Sequence, residues 1–140
     1  MQLTRFTDYS LRLLIYLAVQ NRLCTVKEVA DYYGISRNHL VKATHQLAKL
    51  GFIESVKGKG GGIRLNHSPD QLNLRDVVEK VEPGFDLVEC LGPNTSCQIE
   101  KTCGLKSIID GSLSAFLQHL GRYTLADAIR TVQLVELKKI

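Results

Sequence analysis

Three cysteines in one short segment are the residues of this chain whose type and spacing best suggest chemistry. Cys90, Cys97 and Cys103 lie within fourteen residues of one another. Thiolate sulfur is a ligand for iron–sulfur clusters and for zinc, and structural sites of both kinds take four ligands. The Cys-x6-Cys-x5-Cys spacing does not resemble the closely spaced cysteine pairs of structural zinc sites. A labile cluster with a fourth ligand of another type fits better, and a disulfide switch among these thiols remains an alternative.

The rest of the composition limits where such a site would work. The chain has 140 residues, of which 44% are hydrophobic, so it is long enough to bury a core of its own. It has no apolar run near the ~20 residues that span a bilayer, and its first residues do not resemble a secretory signal. We therefore expect a cytoplasmic protein, in which cysteines are more often ligands or reactive thiols than disulfides. Cys24 stands alone and is expected in the core.

Charge is distributed unevenly along the chain. Residues 1–66 carry ten Lys and Arg against four Asp and Glu, a net charge of +6, whereas residues 67–140 carry eight against ten, a net charge of −2. A basic half is a candidate surface for nucleic acid, although ordinary surface charge would explain it equally well.

The basic half contains the pattern helix, glycine turn, helix. We predict a first helix that is capped by Thr7 and ends near Gln20, and a second that opens with a capping box at Thr25–Glu28. The turn at Gly34 precedes Ser36, which is expected to cap a third helix that ends near Leu50. In a helix-turn-helix, the start of this third helix enters the major groove, although two core helices joined by a glycine look similar. Its early side chains suit base and phosphate contacts: Arg37, Asn38, His39 and Lys42.

A predicted β-hairpin follows, with strands at residues 52–56 and 63–66 and a glycine-rich tip between them. This hairpin resembles the wing of a winged helix, in which Lys57, Lys59 and Arg64 would contact phosphates or reach the minor groove. A phosphate-binding loop is the weaker alternative, because no Gly-Lys-Ser/Thr pattern is present and the loop joins strand to strand. The predicted fold class is mainly α with a small β-hairpin, that is, a winged helix-turn-helix domain plus a long dimerisation helix.

Beyond the wing, Asn73 is expected to cap a short helix, and residues 85–103 lose helical periodicity. A helix from residue 105 to about Gly121 carries a wide apolar stripe, and Thr124–Asp127 forms a second capping box. A symmetric dimer would cover that stripe, although packing on the first helix is an alternative. We expect a DNA-binding domain at 1–82, a cluster-binding loop at 83–104, and the dimerisation and C-terminal helices at 105–140.

Four stretches and the three cysteines together resemble a known family, the iron–sulfur winged-helix transcriptional repressors that include IscR and NsrR. The chain is most similar to the NsrR-like, nitric-oxide-sensitive members, and the similarity covers nearly its whole length. The stretches that carry it are Thr7–Arg12, Ser36–Lys42, Gly58–Leu65 and Tyr123–Asp127.

The resemblance implies a cluster held by Cys90, Cys97 and Cys103. IscR-like members add a histidine a few residues after the third cysteine to hold a [2Fe–2S] cluster, but residues 104–107 contain no histidine. NsrR-like members hold a [4Fe–4S] cluster with an aspartate near the N-terminus of the other subunit, and Asp8 matches that position. Taken alone, Asp8 is also explained as a charge that favours the start of a helix by about 0.3–1 kcal/mol.

The function that follows from the resemblance is a homodimeric repressor that binds operator DNA and leaves it when nitric oxide nitrosylates or removes the cluster. Two alternatives stay open: a [2Fe–2S] regulator of iron–sulfur or redox homeostasis, and a thiol–disulfide repressor. A zinc module that recruits protein partners is a third. An enzyme is not expected, because the histidines are scattered over unlike elements and no catalytic motif is present: His39, His45, His67 and His119.

Overall fold

A computed structural model describes residues 1–133 of the chain. Within these residues the chain is mainly helical, with one antiparallel two-stranded sheet, and the predicted fold class is confirmed. The helices and strands are α1 (Arg5–Gln20), α2 (Val26–Tyr33), α3 (Arg37–Lys49), β1 (Ile53–Val56), β2 (Gly62–Leu65), α4 (Leu74–Val81), α5 (Leu105–Leu120) and α6 (Leu125–Ile129). Short 3-10 turns lie at Pro69–Gln71 and Glu89–Leu91. Residues 134–140 of the predicted C-terminal region lie outside the described part.

The start of α1 differs from the prediction. Thr4, not Thr7, is the N-cap, and its hydroxyl accepts a hydrogen bond from the Thr7 N–H at 3.3 Å. Thr7 lies inside the helix and is fully buried, and its own hydroxyl donates to Glu82 at 2.5 Å. Both threonines are good caps by type, so a distant partner decides which of them begins the helix.

The helix-turn-helix forms largely as local chemistry predicts. Thr25 and Glu28 make the predicted capping box of α2, each accepting a hydrogen bond from the other's backbone. Gly34 ends α2 in the left-handed region, with a φ of 64°, where glycine has no steric penalty. Ser36 is the N-cap of α3 as predicted, but its side chain makes no capping hydrogen bond.

The hairpin is confirmed, with each strand shifted by about one residue from its predicted bounds. Ile53 pairs with Leu65, and Val56 with Gly62. A bridge between Ile63 and Cys24 ties the hairpin to the link before α2, with N···O distances of 2.9 and 2.8 Å. Cys24 is buried as expected, at 1% exposure. The wing is therefore attached to the helical core by backbone hydrogen bonds.

One hydrophobic core joins the helices to the hairpin. Leu125 of α6 is part of this core, and its N–H donates to Leu72 O at 2.8 Å, so α6 packs on the segment before α4 as well as on α1. The largest fully buried hydrophobic side chains are Leu13, Leu14, Leu17, Leu40, Leu47, Leu125, Val29, Val77 and Val78. This core fixes α3 and the wing on one rigid body.

Helix α5 is bound much less closely to that body. Of its sixteen residues only Leu117 is buried, whereas Leu105 and Ile108 are 56% and 64% exposed. It contacts α4 and the turn at Glu89–Leu91. No helix in residues 1–133 is long and apolar enough to cross a membrane.

Candidate DNA interface and metal centre

The first turn of α3 presents the predicted base-reading side chains to solvent. Arg37, Asn38, His39 and Lys42 are all exposed. The opposite face of the helix, with Leu40, Ala43 and Leu47, is fully buried and holds α3 against the core. Major-groove recognition requires long hydrogen-bonding side chains on the solvent-exposed N-terminal turn of a helix that is held firmly by the core.

Helix α1 supports this reading turn directly. The Tyr9 ring lies 5.9 Å from the His39 ring, centroid to centroid. One turn further along α1, the Arg12 guanidinium lies over the Tyr33 ring at 5.9 Å, and the Tyr33 hydroxyl donates to the Arg12 carbonyl at 3.1 Å. Tyr33 is the last residue of α2, immediately before the turn. A shift of α1 would therefore move both helices of the helix-turn-helix.

The wing presents a basic tip. Lys57 and Lys59 are exposed beside Gly58 and Gly60, which both have positive φ values, 94° and 77°. These conformations favour glycine and leave the tip narrow enough to approach a phosphate backbone closely. Arg64 is half-exposed and pairs with Glu54 across the sheet, Nε to Oε2, at 3.0 Å. A phosphate would have to compete with Glu54 for Arg64, whereas Lys57 and Lys59 lie on the open tip.

The cysteine segment is closed by its own polar contacts. Both the backbone N–H and the hydroxyl of Ser96 donate to Glu89 Oε1, at 2.6 and 2.8 Å. These two hydrogen bonds lower the pKa of Glu89. Glu89 precedes Cys90 and Ser96 precedes Cys97. The contact therefore joins the residue before the first cysteine to the residue before the second.

A second set of contacts lies at the start of α5. Cys103 and Leu91 line a cavity of about 430 Å³ together with Lys106, so the segments that carry the first and third cysteines also meet. Lys106 pairs with Glu100 at 2.5 Å. The hydrogen bond that Lys106 donates to the Glu100 carboxylate raises the pKa of Lys106.

The donor chemistry suits a thiolate-bound iron centre, but a single chain does not assemble one. Cys90, Cys97 and Cys103 are free thiols, and Cys97 is exposed. Among residues 1–133, no three Cys, His, Asp or Glu side chains are arranged to share a metal ion. Burial raises the pKa of Cys24, which makes that thiol a poor ligand. The available donors are therefore the three cysteines of one segment, which need a further ligand and closer assembly.

Asp8 is positioned on α1 with a partner of its own. Its carboxylate makes two contacts with Arg12, at 2.8 and 3.1 Å, and its side chain is 46% exposed. It does not join the cysteines of its own chain in a metal-binding group within the described residues. An outward-facing carboxylate of this kind is accessible to a second molecule.

Sequence reasoning missed Glu82, which joins the start of α1 to the end of α4. Its Oε2 accepts hydrogen bonds from Thr4 N–H, Thr4 Oγ1 and Thr7 Oγ1, at 3.0, 3.1 and 2.5 Å. One signal was available, because a carboxylate at the C-terminal end of a helix opposes the helix dipole and needs another reason to be there. Glu89 and Lys106 were also missed, and their partners cannot be read from local spacing.

Comparison with known proteins places these features in a family. A family model described as Rrf2, iron-dependent transcriptional regulator, matches residues 3–131. The HTH-type transcriptional regulator NsrR of Shouchella clausii (strain KSM-K16) is 50% identical over 132 residues, which cover 92% of this chain and 89% of that protein. The regulator of the same name from Bacillus subtilis (strain 168) is 44% identical over 133 residues, covering 93% and 91%.

Solved structures show the same fold. The structure of T. potens IscR has a TM-score of 0.76 at 20% identity and covers 99% of this chain and 93% of its own. CymR (YrzC), the global cysteine regulator of B. subtilis, has a TM-score of 0.71 at 21% identity and covers 95% and 99%. The relatives are named regulators and not enzymes, which confirms that expectation as well as the family resemblance. The chain belongs to the Rrf2 family of iron-dependent transcriptional regulators.

Proposed function

We propose that the protein is an iron–sulfur transcriptional repressor that binds operator DNA as a homodimer and releases it in response to nitric oxide. The observation that carries the proposal is the placement of three free cysteines between the DNA-reading body and the exposed helix α5. The 44–50% identity to regulators named NsrR supports the resemblance to the NsrR-like members, and it is that resemblance that implies nitric oxide as the signal.

The DNA contacts divide into base reading and backbone contacts. Arg37, Asn38 and His39 on the first turn of α3 read base edges in the major groove, and Lys42 contacts the backbone. Lys57 and Lys59 on the wing tip contact phosphates or enter the minor groove, and Arg64 joins them where a phosphate displaces Glu54. The net charge of +6 on residues 1–66 supports this orientation of the domain.

A second copy of the chain covers α5. Its apolar side chains run along one face of the helix and are exposed or half-buried, apart from Leu117. A symmetric dimer buries the same patch twice and sets two reading helices against a palindromic operator. The apolar face comprises Leu105, Ile108, Ile109, Leu113, Phe116, Leu117 and Leu120.

The dimer also completes the ligand set. Cys90, Cys97 and Cys103 of one chain hold the cluster, and Asp8 of the partner subunit supplies the remaining ligand after leaving Arg12. We assign a [4Fe–4S] cluster, with [2Fe–2S] as the alternative, because no histidine follows Cys103 closely. When bound, such a cluster supplies iron that reacts with nitric oxide at the expense of its protein ligands. Release of Asp8 frees α1, which supports the reading turn through Tyr9 and Tyr33.

The proposal requires only a moderate difference in operator affinity between the states with and without the cluster. Moving operator occupancy from nearly full to nearly empty needs a difference in affinity of roughly 10⁴-fold between the two states, about 5.5 kcal/mol. Both subunits of the dimer bind the operator, so each DNA-reading domain contributes about half of this free-energy difference. Repositioning one helix in a groove can supply this, because a single bidentate base contact is worth about 1–3 kcal/mol.

A thiol–disulfide repressor is the second candidate function. The supporting observation is that Cys103 and Leu91, the neighbour of Cys90, line one cavity beside the Lys106 cation. Free and partly exposed thiols are open to oxidation.

An anaerobic spectrum with a nitric oxide titration separates these functions. The protein is purified without oxygen, its operator is selected from random DNA, and absorption near 400 nm is followed together with DNA binding. We expect a band that bleaches in step with DNA release, loss of the band in Cys97→Ala, and its retention in Cys24→Ala. A colourless protein that releases DNA only on thiol oxidation would establish the disulfide switch instead.

A further inference from the structure

We infer that Glu82 is a positioning residue that couples the cysteine segment to the DNA-reading head of its own chain. It does so by holding the N-terminus of α1 to the C-terminus of α4. This inference rests on the proposed function and adds a second connection, within one subunit, to the Asp8 connection between subunits.

The contacts of Glu82 are concentrated on one oxygen. Oε2 accepts the Thr4 N–H at 3.0 Å, the Thr4 hydroxyl at 3.1 Å and the Thr7 hydroxyl at 2.5 Å. Hydrogen bonds to an ionised acceptor are stronger than neutral ones. Thr7 is fully buried, so its hydroxyl would have no water to replace Glu82.

The placement of Glu82 is explained by α1 and not by its own helix. Glu82 is the C-cap of α4, where the helix dipole disfavours a negative charge. The same carboxylate lies at the N-terminus of α1, where the dipole favours it and the first N–H groups lack helical partners. The Glu82 side chain therefore stabilises the N-terminus of α1, although its own backbone lies at the C-terminus of α4, just before the cysteine segment.

Close packing holds α1 and α4 in the common core, through side chains such as Leu13 and Val77, but one side of their junction is open. A cavity of about 470 Å³ opens between residues 1–3, the residues after α4, and α5. Glu82 is part of its wall, together with Leu3, Phe85 and Phe116. Because side chains around a cavity lack contacts on one side, the directional hydrogen bonds of Glu82 add a specific connection between the N-terminus of α1 and the C-terminus of α4.

The path from Glu82 to the DNA interface is short. Thr7 is followed directly by Asp8, the proposed ligand, and by Tyr9, whose ring lies against His39 at the start of α3. In the other direction, Pro83 and Gly84 follow the end of α4, and Cys90 lies eight residues beyond Glu82. Rearrangement of residues 83–104 around a cluster therefore acts on α1 through Glu82.

The test compares Glu82→Ala, Glu82→Gln and the control Glu79→Ala, all as full-length protein. Glu79 is on the same helix and pairs with Arg75 on the surface. Operator affinity is measured with and without the cluster, and amide hydrogen exchange is followed over residues 4–9. For Glu82→Ala we expect faster amide exchange over residues 4–9. We also expect the ratio of operator affinity with the cluster to operator affinity without it to be at least tenfold smaller than in the wild type. Glu82→Gln retains a hydrogen-bond acceptor, so it should restore part of the slow exchange and part of the affinity ratio. Glu79→Ala should match the wild type in both measurements.

A second variant provides an independent test in case Glu82→Ala does not fold. Thr7→Val removes one donor to Glu82 while keeping a branched side chain of similar shape, and it should give the same two effects in smaller measure. An unchanged affinity ratio in Glu82→Ala, with only a lower melting temperature, would overturn the inference. If the wild type takes up no cluster, the proposed function fails separately; unchanged exchange over residues 4–9 in the cluster-free Glu82→Ala protein would then overturn the connection itself.

Discussion

At the scale of single residues, Asp8 gives a sharp test of the ligand set, because its carboxylate already has a partner in the isolated chain. The exposed Asp8–Arg12 pair is worth about 0.3–0.5 kcal/mol. If Asp8 only stabilised α1, neither Asp8→Ala nor Arg12→Ala would change the response of the chromophore to a chelator. We expect instead that Asp8→Ala makes the chromophore more sensitive to a chelator, whereas Arg12→Ala leaves it as stable as in the wild type. Equal bleaching rates in both variants would remove Asp8 from the ligand set.

The proposed DNA contacts can be told apart by how the loss of binding in each variant depends on DNA sequence and on salt concentration. Arg37→Ala should weaken binding to the operator by about 1–3 kcal/mol while hardly changing binding to random DNA, because a bidentate base contact is specific. Lys59→Ala should weaken binding to both, and lower the slope of log affinity against log salt by about one, because it releases one counterion fewer. Fluorescence anisotropy at several salt concentrations measures both. Equal losses on the two DNAs for Arg37→Ala would make it a backbone contact.

At the scale of elements, the sequence predicts what local hydrogen bonds determine. The caps at Thr25, Asn73 and Thr124 all formed as expected, because each cap needs only a partner two or three residues away. The start of α1 was misplaced because Glu82, far along the chain, engages Thr4 and Thr7. The arrangement of the cysteine segment was not predictable for a similar reason, since its contacts join residues without periodic spacing and its proposed ligand set spans two chains.

The attachment of the wing depends on a glycine. A Cβ on Gly62 would lie 2.6 Å from the Cys24 carbonyl oxygen, where two backbone hydrogen bonds hold Cys24 to the neighbouring Ile63. Gly62→Ala should therefore lower the free energy of unfolding by about 1–3 kcal/mol, the usual cost of overpacking. Gly84→Ala is the control, because a Cβ there meets no atom within 4 Å. Urea denaturation measures both, and a neutral Gly62→Ala would mean that the hairpin can move away from Cys24 at little cost.

The capping box of α2 should make stability depend on pH. The hydrogen bond from Arg22 is the largest of the effects that lower the pKa of Glu28, and the Thr25 N–H adds to it. A lowered pKa in the folded state means that ionised Glu28 stabilises the protein above its ordinary pKa of 4.5, and that this contribution is lost as the pH falls through the lowered value.

Glu28→Gln should consequently destabilise the protein at neutral pH and have a shrinking effect as the solution is acidified. Asp31→Asn is the matched control on the same helix, because Asp31 pairs with Lys27 on the surface and such pairs are worth little. Thermal unfolding of the three proteins at several pH values measures the difference. A constant gap between Glu28→Gln and the wild type at every pH would show that shape, and not charge, is what Glu28 contributes.

At the scale of the whole molecule, charge and exposed apolar surface lie on different parts of the chain. The net positive charge belongs to residues 1–66, which carry α3 and the wing, whereas the uncovered apolar face belongs to α5. Because the core holds α1, α3 and the wing together, a second copy bound through α5 would place two complete reading heads in one assembly. The cysteine segment joins these two parts, so in such a dimer its arrangement would affect the spacing of the two heads.

The dimer can be tested where α5 is most exposed. Ile108 is 64% exposed on the apolar face, and replacing it with glutamate would bury two like charges near the axis of a symmetric interface. We expect Ile108→Glu to sediment as a monomer, to bind a palindromic operator no better than a half-site, and to lose its cluster to a chelator faster because Asp8 of the partner subunit is absent. Ser114→Glu is the control, since Ser114 is exposed about 120° around the helix from Ile108. A dimeric Ile108→Glu with full operator affinity would mean that the two copies associate through another surface.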